Sequence, residues 1–277
     1  MGRLERLALE RSEQAEAVGA LIPLSTAPLE RADWQPFQLR RLLSRTPKHL
    51  RAGGPKPNPF LPWEQALEIE RLGSSHVVLL NKFPVQRGHL LLISQQWQPQ
   101  SGWIDAADWR AVALMDADTP GLWFFNSCAA AGASQPHRHL QLLPRAADAA
   151  SCPLAAAIEQ QVQNGQRLWP WQYRISRRQA HGSPQAAEEL GRLYQEHLHS
   201  LGLGQPQEDA APRQPYNLLF DSQWFMTVHR SREHWAGFSV NALGFAGYLL
   251  VTEGSDEAWL RRHGPLELLA AVAAPIG

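Results

Sequence analysis

The seven residues His137-Arg-His-Leu-Gln-Leu-Leu143 constrain this chain more than any other stretch of it. Run as a β-strand they alternate across a sheet, so that His137, His139 and Gln141 share one face while Arg138, Leu140 and Leu142 share the other. Three polar side chains then point the same way, and each one buried without a partner costs about 1–3 kcal/mol. The fold must therefore hold a strand with one face against a core and the other facing solvent, a ligand or dedicated partners.

Neighbouring segments supply such a sheet. His76-Val-Val-Leu-Leu-Asn81 and His89-Leu-Leu-Leu-Ile-Ser94 are short apolar runs rich in β-formers, joined by Lys82 to Gly88, and read as paired central strands. Gly121-Leu-Trp-Phe-Phe-Asn126 and residues 137–143 read as two more, bracketing a loop from Ser127 to Pro136. Between them, Asp105 caps a helix predicted over 106–115, with Asp108 at the third position and Ile104 and Trp109 spaced as a hydrophobic staple. Arg51 to Pro62 mixes prolines with glycines and reads as a long loop that no regular element crosses.

Beyond Pro144 the texture changes, through an alanine-rich stretch from Arg145 to Pro153. Ser183-Pro184 opens a helix whose stripe of Leu190, Leu193, Tyr194, Leu198 and Leu201 stops at Gly202. His197 and His199 flank the stripe and read as surface or boundary residues. A polar linker, Gly204 to Pro215, leads to strands at 216–220, 224–228 and 247–251, the first two joined by a tight turn at Asp221-Ser222. Strands, helix, then strands again indicate an α+β chain rather than βαβ winding.

Composition narrows the partners. With 277 residues the chain has room for one large domain or two modest ones. Its 26 basic and 26 acidic residues give no global field for nucleic acid or an anionic membrane, so an anionic substrate must be met by a local site. Cys128 and Cys152 form no CxxC pair, which suits a reducing cytoplasm. The first residues lack the apolar run of a secretory signal, and no apolar stretch is long enough to span a bilayer. The 11 tryptophans imply core and interface packing, with one or two free to stack on a base.

The histidine pair itself has three readings. Zinc would need a third ligand such as His76 or His89, and glutamine is a poor one. A structural pair would need its nitrogens satisfied within the core. The third reading is a nucleophilic imidazole that attacks phosphorus and forms a phosphoramidate. Gly132, Ala133 and Ser134, just ahead of the strand, are small residues whose backbone N–H groups and hydroxyl suit an anion nest.

The string Gly-Ala-Ser-Gln-Pro-His-Arg-His-Leu-Gln over 132–141 resembles the active-site motif of the diadenosine tetraphosphate phosphorylases (ATP adenylyltransferases), of the histidine-triad and galactose-1-phosphate uridylyltransferase superfamily. Further stretches are similar, in order: Asn58-Pro-Phe-Leu-Pro62, residues 76–83, residues 89–93, Tyr216-Asn-Leu-Leu, and Ser239 to Gly247. The resemblance implies two histidine-triad-like halves built on antiparallel sheets with flanking helices, pseudo-dimeric within one chain. Residues 1–165 would form the catalytic half, and 166–277 a half without the motif that completes the fold and cleft.

It also implies reversible phosphorolysis of diadenosine tetraphosphate to ATP and ADP through an adenylyl-histidine. His139 corresponds to the nucleophile, Gln141 to the family's glutamine, and His137 to a residue orienting His139. Asn81, Lys82, Asn126, Gly132, Ala133, Ser134 and Gln135 are expected to meet the nucleotide, with a strand-ending turn as the alternative for Asn81. Lys48 and Lys56 are candidates for the far phosphates. No tightly bound cofactor or protein metal site is implied, and any Mg2+ is expected to arrive with the nucleotide. The partners are small-molecule nucleotides, with no nucleic acid or membrane, and a monomer is favoured. His229 stands where the family usually has proline, which leaves the second half's part in binding open. A dinucleoside polyphosphate hydrolase and a non-catalytic nucleotide-binding sensor remain the alternatives; a glutamine at 141, unable to exchange protons near neutral pH, favours the transferase.

Overall fold

The apolar alternation of these segments closes into one long antiparallel sheet. The computed structural model describes residues 1–44, 58–146 and 148–276. Within them the main strands are β3 (Glu68–Leu72), β4 (His76–Leu80), β5 (Leu90–Ser94), β6 (Gly121–Asn126), β7 (His139–Pro144), β8 (Tyr173–Arg177), β9 (Tyr216–Phe220) and β10 (Trp224–His229). They lie side by side in the order β3-β4-β5-β7-β6-β9-β10-β8, every neighbouring pair antiparallel. The first five belong to the first half of the chain and the last three to the second. They join where β6 pairs with β9, Asn126 opposite Asn217.

One face of this sheet is covered along its length. Val78, Leu80, Leu90, Leu92, Trp123, Phe125, Leu140, Leu142, Leu218 and Phe225 pack against α1 (Arg3–Ala17), α2 (Ala106–Asp118) and α4 (Ala186–Ser200). Helix α2 begins as expected: the Asp105 carboxylate accepts the N–H groups of Ala107 and Asp108, and Asp108 reaches back to the N–H of Asp105. The helix runs three residues past the expected end. In α4 Leu190, Leu193, Tyr194 and Leu198 of the expected stripe are buried, Leu201 is half-buried at the cap, and Gly202 ends the run with φ +68°. His199 is exposed, but His197 is fully buried, contrary to the surface or boundary reading: its ring lies between the hydroxyls of Ser176 and Thr227, at 2.8 and 3.0 Å. Neither hydroxyl is near it in sequence, so its environment could not be inferred from the helix.

The opposite face is covered unevenly. Over β6, β9 and β10 it meets α3 (Ala155–Asn164), α5 (Ala242–Phe245) and α6 (Glu257–Val272) in a large core including Phe124, Trp171, Trp224, Met226, Phe245 and Leu268. Over β4 and β5 the described residues form a small cluster of Val77, Leu79, Leu91 and Ile93 under Phe60 and Trp63.

A second sheet ties the chain's ends together. Strand β2 (Gln38–Leu42) pairs with β1 (Thr26–Pro28) and, in parallel, with β13 (Tyr248–Val251). The strand expected at 247–251 thus leaves the main sheet. A short hairpin of β11 (His234–Trp235) and β12 (Phe238–Ser239) completes the set. Asp221 does form the turn between β9 and β10, its Oδ1 accepting the N–H groups of Gln223 and Trp224.

Candidate active site

Strand β7 carries the polar stripe onto the thinly covered face. Leu140 and Leu142 go to the helix-covered core, as alternation requires. Arg138 follows them, its Nη1 2.7 Å from the Asp108 carboxylate, which also meets His76 Nε2 at 2.9 Å. Burial works to raise the Asp108 carboxyl, but the His76 hydrogen bond, the Arg138 charge and the Asp105 amide together hold it below its ordinary range. This buried trio pins α2 to the back of the strand bearing the histidines.

On the other side His139 is held by its main chain and by one ring nitrogen. Gln100 clamps the main chain, accepting the His139 N–H at 2.8 Å and donating to its carbonyl at 3.3 Å and to that of Asn126 at 2.6 Å. His139 Nδ1 donates to the His137 carbonyl at 2.7 Å. That bond puts the proton on Nδ1 and leaves the lone pair on Nε2, for which no described residue supplies a partner. Burial pushes the imidazole down to about 4, so it is neutral at pH 7. Phe60 closes one side, its ring centre 5.5 Å from that of His139.

His137 is committed at both nitrogens. Nε2 donates to the Ser94 carbonyl at 2.8 Å, near the Ser94 hydroxyl at 3.0 Å, and Nδ1 accepts from Asn58 Nδ2 at 3.0 Å. Its carbonyl, the part that touches His139, is thereby fixed in place. Such a ring has no lone pair to offer phosphorus or a metal, and no group of three or more histidine, cysteine or carboxylate side chains disposed for a metal ion occurs among the described residues. Gln141 lies two residues along, its Oε1 accepting from His89 Nε2 at 3.0 Å.

The remaining expected residues divide. Asn81 makes the strand-ending turn, accepting the Phe83 N–H, and its Nδ2 lies 3.3 Å from His89 Nδ1. Lys82 is paired with Glu64 at 2.8 Å on the surface. Asn126 uses its Oδ1 on Asn217 and on the Ala242 N–H, both at 2.8 Å, binding the two halves together rather than offering that oxygen to a ligand.

Gly132 and Ala133 correct the expected nest. Their N–H groups are spent on Ala129 and Cys128 carbonyls, at 2.9 and 3.0 Å, because the loop closes a tight turn on itself. Gly132 is needed for another reason: at φ +87° a Cβ there would sit 2.6 Å from the Asn241 Cβ. Ser134 and Gln135 keep backbone N–H groups that no described residue accepts. Lys48, Lys56 and the 51–57 part of the expected loop lie outside the described residues. His229 ends β10 with its Nδ1 3.1 Å from Gln172 Oε1.

Sequence reasoning missed Gln100 and Ser94, and saw in His89 only a possible zinc ligand. A glutamine or serine beside a strand carries no periodic signal. Asn58, which holds His137, lay within the loop read from Arg51 to Pro62, and its stretch was tied to function by resemblance alone.

Comparison with known proteins gives this arrangement a family. Residues 1–160 match the Ap4A phosphorylase N-terminal domain, and residues 167–275 the ATP adenylyltransferase C-terminal domain. The chain belongs to the Ap4A phosphorylase family. Protein APA1 of Saccharomyces cerevisiae is 32% identical over 93 residues, which span 30% of this chain and 29% of that protein, so the aligned part is under a third of its length. The crystal structure of yeast Ap4A phosphorylase Apa2 in complex with AMP superimposes with a TM-score of 0.75 at 19% identity, covering 99% of this chain and 97% of that one. Apa2 in complex with Ap4A gives 0.74 at 18%, covering 99% and 98%. At such identity the likeness is one of fold. This Ap4A phosphorylase-family chain thus has the two-halved α+β architecture over its whole described length. No helix among the described residues is long and apolar enough to cross a membrane.

Proposed function

We propose that this protein catalyses the reversible phosphorolysis of diadenosine tetraphosphate to ATP and ADP, with His139 as nucleophile. The observation that carries the reading is the His139 ring: Nδ1–H is tied to the His137 carbonyl at 2.7 Å, and Nε2 is left neutral and without a described partner. Family membership, and the solution of Apa2 with AMP and with Ap4A, support the substrate class.

In the first step the Nε2 lone pair attacks the α-phosphorus of one adenosine. The bond from that phosphorus to its bridging oxygen breaks, ATP leaves, and an adenylyl-histidine remains whose positive charge is shared with the Nδ1–H···O=C bond to His137. In the second step an oxygen of inorganic phosphate attacks the same phosphorus, the N–P bond breaks, ADP forms and the lone pair returns. The leaving groups are already stable anions, so positioning and hydrogen-bond donation matter more than a strong general acid. Gln141 and the N–H groups of Ser134 and Gln135 supply donors. Asn58, Ser94 and Gln100 hold the reacting strand. A divalent cation would arrive with the polyphosphate and screen its charge.

Residues 1–165 carry this chemistry and 166–277 complete the cleft, in a monomer whose two free cysteines suit a reducing cytoplasm. The test uses diadenosine tetraphosphate labelled at its α-phosphates, without inorganic phosphate, followed by denaturing electrophoresis. The wild type is expected to hold an acid-labile, base-stable label, and His139→Ala to hold none while losing at least about 10⁴-fold in phosphorolysis. Turnover of diadenosine tetraphosphate independent of phosphate would make the protein a hydrolase. Binding without label would make it a sensor.

A further inference from the structure

Gln141 reaches the reaction through an amide, and an amide can present either its oxygen or its N–H2 to a substrate. Which end faces the phosphorus decides what it can do. The surrounding hydrogen bonds settle the matter, because their polarity starts at main-chain groups that cannot reverse.

The Phe83 N–H donates to Asn81 Oδ1 at 3.0 Å, so the Asn81 amide turns its Nδ2 toward His89 Nδ1, 3.3 Å away. The Val85 N–H approaches the same Nδ1 at 3.5 Å. Two donors facing Nδ1 require it to accept, which leaves the His89 proton on Nε2. That proton is donated to Gln141 Oε1 at 3.0 Å. His89 is buried with its ring 5.8 Å between centres from Phe124, and a flipped ring would give up the contacts at both of its nitrogens. With Oε1 held, a reversed Gln141 amide would set N–H against N–H.

We propose that His89, with Asn81 behind it, is a positioning residue that locks Gln141 with its N–H2 toward the transferred phosphoryl group and so selects phosphate over water as the second nucleophile. The inference rests on the phosphorolysis reading above. A donor at that position binds the equatorial phosphoryl oxygens, whose charge grows in both displacements. Water needs an acceptor to take its proton as it attacks, and the one acceptor of this side chain is turned away. Phosphate brings its own charge and needs none. Asn81, expected to meet the ribose or phosphates, is thereby reassigned to the start of the chain of hydrogen bonds.

The decisive variants are His89→Phe, which keeps a ring but removes the donor, and His89→Gln, which can restore an N–H. The adenylyl-enzyme is formed from diadenosine tetraphosphate without phosphate, then challenged with phosphate, and its release as AMP is measured against ADP. His89→Phe is expected to raise the AMP to ADP ratio at least tenfold, with KM for the dinucleotide changed less than threefold, and His89→Gln to bring the ratio back within threefold of wild type. An unchanged ratio in a folded, active His89→Phe overturns the proposal. So does a loss in His89→Gln equal to that in His89→Phe, which would mark a merely structural ring. A second readout needs no activity: two-bond ¹H–¹⁵N spectra of the ¹⁵N-histidine-labelled wild type should show His89 protonated at Nε2. A proton on Nδ1 overturns the proposal even if His89→Phe fails to fold. Absence of adenylyl label in the wild type would overturn the phosphorolysis reading instead.

Discussion

The outer face of the main sheet is built in two ways, although the strands beneath are continuous. Over β6, β9 and β10, helices α3, α5 and α6 fill it with residues such as Trp224, Met226 and Phe245, all buried. Over β4, β5 and β7 no helix among the described residues crosses, and the described cover is Phe60 and Trp63 above a handful of aliphatic side chains. The polar stripe of β7 runs along the border between the two. An antiparallel sheet needs one face packed on a core and can leave the other reachable, which a catalytic strand requires. Helices α3, α5 and α6 cover the second half's strands together with β6, and among the described residues no helix covers β4, β5 and β7 on this face.

Matched truncations would break or sharpen that contrast. Phe245→Ala removes a ring packed edge-on against Trp171 at 5.8 Å in the filled region, and should cost about 3–5 kcal/mol of stability. Phe60→Ala should cost less than half as much, because its neighbours are few, yet raise KM by losing the ring against His137 and His139. Denaturant melts of both variants decide the point. Equal losses would mean that the first-half face is packed as firmly as the second.

A buried histidine stands in each half, and the two differ at a single atom. His197 has both ring nitrogens against hydroxyls, Ser176 and Thr227, whereas among the described residues His139 has a partner for Nδ1 only. Burial alone does not mark a site; an unspent nitrogen does. His197→Ala should therefore destabilise by about 2–4 kcal/mol, from a small cavity and two stranded hydroxyls, with kcat unchanged well below the melting point. A thermal melt beside a turnover assay checks it. If His197→Ala lost activity in proportion to His139→Ala, the distinction would be wrong.

How much of this was legible depended on the range of the interaction. Helix α2 announced itself through Asp105 and Asp108, three residues apart, and the β9–β10 hairpin through Asp221. The faces of β7 followed from alternation, which is why Arg138 and His139 diverge as expected. Strand β2 could not be seen to pair with β13, more than 200 residues on, because neither strand's sequence encodes its partner. Helix α6 carries Gly264 at φ +80° ahead of Pro265, so its sequence reads as an interrupted apolar run rather than an amphipathic helix. The 132–133 turn was misjudged because side chains do not reveal which way a backbone N–H points. His89 was visible as a residue and not as a role, since the bonds that give it one come from residues 81, 85 and 141.

A dependence on pH follows from what the buried histidines of both regions share. Burial pushes His89 and His197 down to about 3 and His139 to about 4, whereas an unfolded chain holds histidine near its ordinary value of about 6.5. Between about pH 6.5 and 4 the unfolded chain therefore binds protons that the folded one does not, and stability rises with pH across that window. Below about pH 5.5 each such histidine adds a slope approaching about 1.4 kcal/mol per pH unit, vanishing above pH 7. Asp221, whose carboxyl is raised by burial, works in the opposite sense at the acid end and cannot supply the slope. Urea midpoints measured at pH 7.5, 6 and 5 should fall toward acid, and His197→Gln should remove part of the dependence, leaving that of His89 and His139 and of His137 and His229, which burial also lowers. A flat stability profile from pH 7.5 to 5 would show these rings to be wetter than their packing implies. The neutral His139 nucleophile would then lose its electrostatic basis at mildly acid pH while its geometry stayed intact.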